Sequence, residues 1–376
     1  MRKILFITTN DQTPWGGSEV LWYETALLFL KEKYAVGISI RDWLPIPKHI
    51  NRLIAEGATI IERKTPKGNR TIIERVANKL FAKEPHSTYH KMLLAFKPSL
   101  IVICQGGNQD GLHWMEFCKN HQIPFMTIVQ AATESWWPDT DKIEALRTGY
   151  KSALKCFFVS KANLNLTEIQ IGSRLPLGKV INNPFNVNYH NNLHYPPLNG
   201  NYNLANVARH ELQAKGQDVL FEVLSDPKWS NRSLTVSLYG SGIHTSHIKD
   251  LLNFFNLKNV IVKGYQDTTS IWQENHGLVL PSRFEGLPLA LVEAMLCNRF
   301  GIVTDVSGNK EVIVDNVNGF VAAAPKAEYL DEAMERAWTR REEWMEIGLE
   351  AGTYIKTLVP ENPINNFYNE ILNAMP

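Results

Sequence analysis

Residues 281–295 read PSRFEGLPLALVEAM, and this stretch decides how the chain is understood. Glu285 and Glu293 stand eight positions apart in it. A short apolar run, Gly277 to Leu280, precedes it and reads as a buried parallel strand. Glu285-Gly286-Leu287 then reads as a turn, and Pro288 as the first position of a helix, where a missing N–H costs nothing. Glu285 is thus expected in a loop, and Glu293 about a turn and a half into the helix. Strand, glycine turn and helix start present unpaired N–H groups and the positive end of a helix dipole to an anion. Carboxylates beside such a site would repel a phosphate, but they are strong acceptors for sugar hydroxyls. A phosphate flanked by sugars is a nucleotide sugar. The plainer reading is a surface loop and a helix with two solvated acids, and the whole string in its strand–loop–helix context outweighs it.

Working outward, the chain alternates strand and helix. Strand-like runs are Ile4–Thr8, Val36–Ile40, Thr59–Ile61, Leu100–Cys104, Phe125–Val129, Cys156–Val159 and Val180–Ile181. A Pro- and Asn-rich stretch from Ile181 to Asn203 lacks helical periodicity and reads as linker and loop. Alternation resumes with Leu204–Ala208, Leu234–Tyr239, Val260–Val262, Leu278–Leu280 and Gly301–Val303. This is an α/β chain of two doubly wound parallel sheets, with ligands expected at the carboxyl ends of the strands, in the cleft between them. A length of 376 residues suits two domains of roughly 150–200 residues.

Composition narrows the function. A net charge of +1 argues against a nucleic-acid binder. The cysteines Cys104, Cys118, Cys156 and Cys297 lack paired zinc-site spacing and read as reduced, buried thiols of a cytoplasmic protein. The opening MRKILFITTN suits a first strand better than a signal peptide, and no apolar run approaches the ~20 residues of a membrane span. The basic stretch Lys67–Lys83 carries Ile72, Ile73, Val76 and Leu80 on one helical face. A helix packed on its own domain is favoured there over a membrane-surface helix at the inner face of the membrane.

Other constellations fall at strand ends. Pro14-Trp15-Gly16-Gly17-Ser18-Glu19 follows the first strand and leads into a helix from Val20 to Lys31, with Ser18 expected as its N-cap. Arg209 is expected to end the first strand of the second half, and Lys215-Gly216 to open the next helix. Two cations at one strand end suit a diphosphate that gains charge on bond cleavage. Gly240 lies in the turn 240–242, and Gly264-Tyr265 in a second turn, where a base could lie against backbone.

The segment 281–295 resembles the Glu-x7-Glu signature of retaining glycosyltransferases of family 4, which have the GT-B fold. The strings 205–220 and 307–320 resemble the same family, so the likeness is dense from about 203 to 323 and thin before it. It implies a nucleoside diphosphate sugar as donor, with UDP or GDP favoured, and a hydroxyl-bearing acceptor; the sequence has no dense Asp/Asn cluster of metal-binding type, so no divalent ion or other cofactor is expected to be required. Glu293 would hold the ribose. Glu285, Gly286, Leu287, Pro288 and Leu289 would face the donor sugar and diphosphate, Arg209 and Lys215 the diphosphate, and Gly16-Gly17 both. Gly264 and Tyr265 would lie at the base. It implies an acceptor-side domain (1–185), a donor-side domain (186–358) and a last segment (359–376) crossing back onto the first. Many family members carry histidines where Gln105 and Gln130 stand, and glutamine cannot be a general base. Gln105, Gln130, Glu134 and Trp136 are then candidate sugar or acceptor contacts, with Asp110 and His113 nearby, although His113 falls on the following helix. Rival readings are a non-catalytic nucleotide-sugar-binding subunit and another GT-B enzyme, such as a sugar-nucleotide epimerase or phosphorylase.

Overall fold

A computed structural model describes residues 2–11, 13–64 and 86–375. The basic stretch Lys67–Lys83 lies outside them. Two sheets of parallel strands organise the molecule, one of seven strands and one of six. The first comprises β1 (Lys3–Thr8), β2 (Ala35–Arg41), β3 (Thr59–Arg63), β4 (Leu100–Gly107), β5 (Phe125–Ala131), β6 (Lys155–Phe158) and β7 (Gly178–Val180), in the order β3-β2-β1-β4-β5-β6-β7. The second comprises β8 (Tyr202–Val207), β9 (Leu234–Tyr239), β10 (Val260–Gly264), β11 (Gly277–Leu280), β12 (Phe300–Thr304) and β13 (Gly319–Ala322), in the order β10-β9-β8-β11-β12-β13.

Both faces of each sheet are covered, which explains the near-continuous apolar runs. In β1, Ile4 and Phe6 enter one core, and Leu5 and Ile7 the core on the other face. In the second sheet, Val279 packs on one side while Leu278 and Leu280 pack on the other. Strand order reverses between β1 and β4, and again between β8 and β11. At such switch points the loops diverge to opposite faces and leave a crevice at the carboxyl ends. The loops after β1, β4, β8 and β11 therefore border the site.

The last helix, Pro363–Ala374, packs on the first sheet's side. Phe367 and Ile371 enter the core that holds Ile4 and Phe6, and Tyr368 meets Phe29 at 4.5 Å between ring centroids. Glu370 bridges Lys155 and Lys179, each at 2.8 Å. The crossing stretch 181–201 has no regular element, yet it is tied to the second sheet's helices. Tyr189 donates to the Lys356 carbonyl at 3.0 Å, and Asn191 to that of Leu296 at 2.9 Å. Arg299, fully buried, donates to the His194 carbonyl at 2.9 Å and to Trp272 and Asn275. A buried guanidinium is stable only with its donors satisfied in this way.

Candidate active site

The loops after β8 and β11 are locked together. Arg283 forms a fork on Asp218 at 2.8 and 2.6 Å and also donates to the Leu212 carbonyl. Lys215 ends a short helix, Leu212–Lys215, and Gly216 links it to the Gln217–Leu224 helix with φ +62°. A Cβ on Gly216 would stand 2.1 Å from the Pro281 carbonyl oxygen, so only glycine admits this approach. The packing delivers Lys215 Nζ to Glu285 Oε1 at 2.6 Å, with Ser282 Oγ donating to the same oxygen at 2.7 Å. Lys215 is 17% exposed and Glu285 7%, so the pair sits in a partly desolvated environment where its field is strong.

Arg209 lies two residues past the end of β8 instead of ending it. It pairs with Glu211 at 2.9 Å and is 58% exposed, so it can swing towards an anion. Pro288 is the N-cap of the Leu289–Leu296 helix, one residue earlier than the first helical position expected. Its ψ of 122° is extended, so the helical turn begins only at Leu289. Glu293, the fifth helical residue, is buried. Its Oε1 accepts from the backbone N–H of Asn186 at 2.8 Å and from Asn186 Nδ2 at 2.9 Å. Burial pushes its carboxyl up to about 7, against the opposing pull of the Asn186 bonds.

Gly240 takes φ +126°, and a Cβ there would lie 2.2 Å from the Ala208 carbonyl oxygen. Gly264 takes φ +70° at the end of β10, its carbonyl accepts from the Gly240 N–H at 2.9 Å, and Tyr265 beside it is 92% exposed. The β9 and β10 turns thus form one rim, with an open tyrosine.

The first sheet closely meets the segments that follow β11 and β12. A Cβ on Gly286 would lie 2.2 Å from the Gln130 carbonyl oxygen, and one on Gly17 would lie 3.2 Å from Leu289 Cδ1. Trp136 sits edge-on to Phe284, with centroids 4.9 Å apart. The Glu311 carboxylate accepts from the N–H groups of Lys161 and Ala162, at 3.0 and 2.6 Å, at the start of the Lys161–Ile171 helix. That carboxylate satisfies helix-end donors left without intrahelical partners, and it does so across the cleft. Nothing at 161 or 311 shows in the sequence that the two meet.

The glycine loop after β1 is built differently from expectation. A 3-10 turn, Gly17–Glu19, precedes the Val20–Lys31 helix, and neither is capped by a side chain. Ser18 Oγ donates to Glu19 Oε1 at 3.2 Å instead of capping. Glu19 is the loop's anchor: it accepts from Thr8, Asn10 and Trp22 Nε1 as well, and burial raises its carboxyl above the usual range. Sequence reasoning overlooked Glu19. The preceding Gly17-Ser18 and the apolar helix that follows gave no sign that this acid turns inward.

Gln105 lies inside β4, which runs on to Gly107, and it is buried. Its Nε2 donates to the Asp110 carbonyl at 2.5 Å and to Tyr150 Oη at 3.2 Å, so it positions the Gly106–Asp110 loop. Asp110 accepts from the Gly107 N–H at 2.6 Å, and burial raises its carboxyl. Gln130 exchanges amide hydrogen bonds with Asn183 at 3.2 and 2.7 Å. Glu134 is exposed. Trp136 is part-exposed, and its carbonyl accepts from Gln170 at 3.0 Å. His113 lies on the Leu112–Asn120 helix. Among the described residues no group of His, Cys, Asp and Glu converges as if for a metal ion, and no helix is long and apolar enough to cross a membrane.

Comparison with known proteins follows the same division. Residues 201–340 match the family described as glycosyl transferases group 1. An uncharacterized glycosyltransferase of Methanocaldococcus jannaschii is 29% identical over 126 residues, 33% of this chain and 34% of its own. A poly(ribitol-phosphate) alpha-N-acetylglucosaminyltransferase of Staphylococcus aureus is 32% identical over 107 residues, 28% of this chain and 22% of its own. This chain therefore spans about a third or less of the length of these curated relatives. Two solved structures align over the whole chain. HepE of Anabaena, in complex with UDP-glucose, has a TM-score of 0.75 at 17% identity, covering 100% of each chain. The sucrose-phosphate synthase of Thermosynechococcus elongatus has a TM-score of 0.72 at 16% identity, again covering 100% of each. The fold is that of the GT-B glycosyltransferase structures, and the part similar to glycosyl transferases group 1, residues 201–340, contains Arg209, Lys215, Glu285 and Glu293.

Proposed function

We propose that this protein is a retaining glycosyltransferase that moves a hexose-type sugar from a nucleoside diphosphate donor to an acceptor hydroxyl. The observation that carries the reading is the Lys215–Glu285 pair at 2.6 Å, set at the β8/β11 switch point. Leu289, four residues on from Glu285, lies against the Gly16-Gly17 loop of the first sheet. A diphosphate at this place meets Lys215, the mobile Arg209 and the start of the Leu289–Leu296 helix. These groups stabilise the charge that develops as the carbon–oxygen bond breaks, and they do so most in the transition state. Glu285, kept in place by Lys215 and Ser282, accepts hydroxyl donors of the transferred sugar. Glu293 takes the ribose hydroxyls, and the Gly240–Gly264 rim with Tyr265 takes the base. UDP is the favoured nucleotide, because HepE of Anabaena, which shares the fold, was solved with UDP and with UDP-glucose.

Retention follows from front-face attack, in which the leaving diphosphate accepts the acceptor's proton and the protein supplies position and charge. The acceptor enters from the first sheet, between Gln130, Trp136 and the Gly106–Asp110 loop. The chemistry asks for no resident metal. The domain division that goes with this reading is 1–185, 186–358 and 359–376, and the compartment is the cytoplasm.

A second reading, a binding subunit without turnover, draws on Gln105 and Gln130. Both are engaged as amides with protein partners, and neither can carry a proton. One assay separates the two readings. Purified protein is given UDP-, GDP-, ADP- and dTDP-sugars, and nucleoside diphosphate release is followed. Slow hydrolysis of one donor, with the sugar's anomeric configuration kept, is expected. Tight binding with no release would favour the binding subunit.

A further inference from the structure

Asn186 lies in the crossing stretch between β7 and β8, far in sequence from the helix it touches. Its backbone N–H and its Nδ2 both end on one oxygen of Glu293, at 2.8 and 2.9 Å. Among the described residues no hydrogen bond reaches the other oxygen, Oε2. Neighbouring residues anchor the backbone at Asn186: Val187 is buried in the core that holds Leu278 and Leu280, Phe185 packs against that core, and Phe185 stacks on Tyr189 with centroids 6.0 Å apart. A carboxylate in a desolvated pocket, held by one oxygen and free at the other, is an oriented acceptor.

We propose that Asn186 is a positioning residue for nucleotide binding: it fixes Glu293 through Oε1 so that Oε2 meets the ribose hydroxyls. The inference rests on the reading that Glu293 receives the ribose. It also makes the crossing stretch part of the nucleotide site, so that nucleotide affinity depends on a residue outside every strand and helix.

The consequence is a pH signature. Hydroxyl donors favour the ionised carboxylate, so affinity should rise as Glu293 loses its proton, through about pH 7. Nearby charge does not blur this window. Cys297, the C-cap of the same helix, feels the Glu293 charge, as well as Arg299 and Lys356, but burial holds its thiol neutral with its pKa up at about 12. Removing Nδ2 takes away a bond that favours the ionised form, so the midpoint should move upwards.

The test uses the full chain and whichever of UDP, GDP and ADP binds most tightly, measured by calorimetry between about pH 6 and pH 9. Variant-minus-wild-type differences cancel the ligand's own phosphate titration. Asn186→Ala is expected to weaken binding at every pH and to raise the midpoint by about half to one pH unit, so that the loss is larger at the acid end. The gap between ribo- and 2′-deoxyribonucleotide should narrow with it at the acid end. Thermal unfolding checks the fold, and Asn186→Ser gives the same readout should the alanine variant not fold. Unchanged affinity throughout, or a loss that vanishes once Glu293 is ionised, would overturn the positioning role. Glu293→Gln tells the two claims apart. It should weaken binding at alkaline pH and abolish the pH dependence that wild type shows beyond the ligand's own. Unchanged affinity there, or no binding of any of the three nucleotides, would overturn the reading of the cleft itself.

Discussion

The two sheets use glycine differently, and the difference shows where each half of the cleft gets its shape. In the second sheet's loops, a Cβ on Gly216, Gly240 or Gly286 would stand 2.1 to 2.2 Å from a backbone carbonyl oxygen. Backbone cannot move aside, so those loops are set by main-chain packing. In the first sheet's loops, a Cβ on Gly16, Gly17, Gly106 or Gly107 would meet only side chains, at 3.1 to 3.7 Å. Side chains can yield, so these glycines leave room for something that comes and goes. The second sheet's half is rigid by construction, and the first sheet's half is adaptable. Charge divides the same way: Lys215 is bound to Glu285 and Arg283 to Asp218, whereas Glu134 and Trp136 stand part-open.

The largest effect should come from the rigid half. Lys215→Ala removes the cation proposed to stabilise the leaving group and strands the buried Glu285. Turnover should fall by about 10²–10³-fold, with a smaller change in KM. Arg209→Ala should cost less, near tenfold, because Arg209 is exposed and paired with Glu211. Equal losses in the two variants would erase the distinction between a buried and a mobile cation. Steady-state kinetics on the best donor decides it.

Next in size is Gly286→Ala. Its methyl would run into the Gln130 carbonyl, so each half should stay folded while the cleft is held apart. Small-angle scattering should show a larger radius of gyration that no longer shrinks on adding nucleoside diphosphate, together with about tenfold or more lower turnover, since closure completes the site. A variant as compact as wild type would mean that this contact is not what limits closure.

The smallest effect is expected at Gly17→Ala. Its Cβ meets the tip of Leu289, a side chain that can turn away. KM for the donor should rise a few-fold, about 1 kcal/mol or less, with stability almost unchanged. A loss as large as that of Gly286→Ala would show that the first sheet is as tightly set as the second.

The same contrast explains what could be read from the chain. The central strands were legible to within a few residues because they are buried on both faces, as Ile4 to Ile7 show. β13 was not recognised as a strand, since Gly319–Ala322 is four residues long and begins with glycine. Strand order, and hence the switch points, lay beyond reach because crossover direction is a property of the whole sheet. The motif residues Arg209, Lys215, Glu285 and Glu293 were legible because they lie close behind β8 and β11, in the loops and first helical turns that follow those strands. Contacts between distant segments were not. Asn186 with Glu293, Glu311 with the Lys161–Ile171 helix, and Trp136 with Phe284 join residues whose meeting depends on tertiary packing alone. Gln105 was misplaced for a related reason: β4 continues past it, which turns the side chain into the interior.

The central claim is that one donor molecule spans both halves of the cleft. A crystal structure of the protein soaked with its best-binding nucleotide sugar tests it most directly. The expected result is diphosphate density within hydrogen-bonding distance of Lys215 and of the Gly16-Gly17 backbone, with the ribose on Glu293 Oε2. Nucleotide confined to the second sheet and remote from Gly17, or bound away from Lys215, would contradict the account.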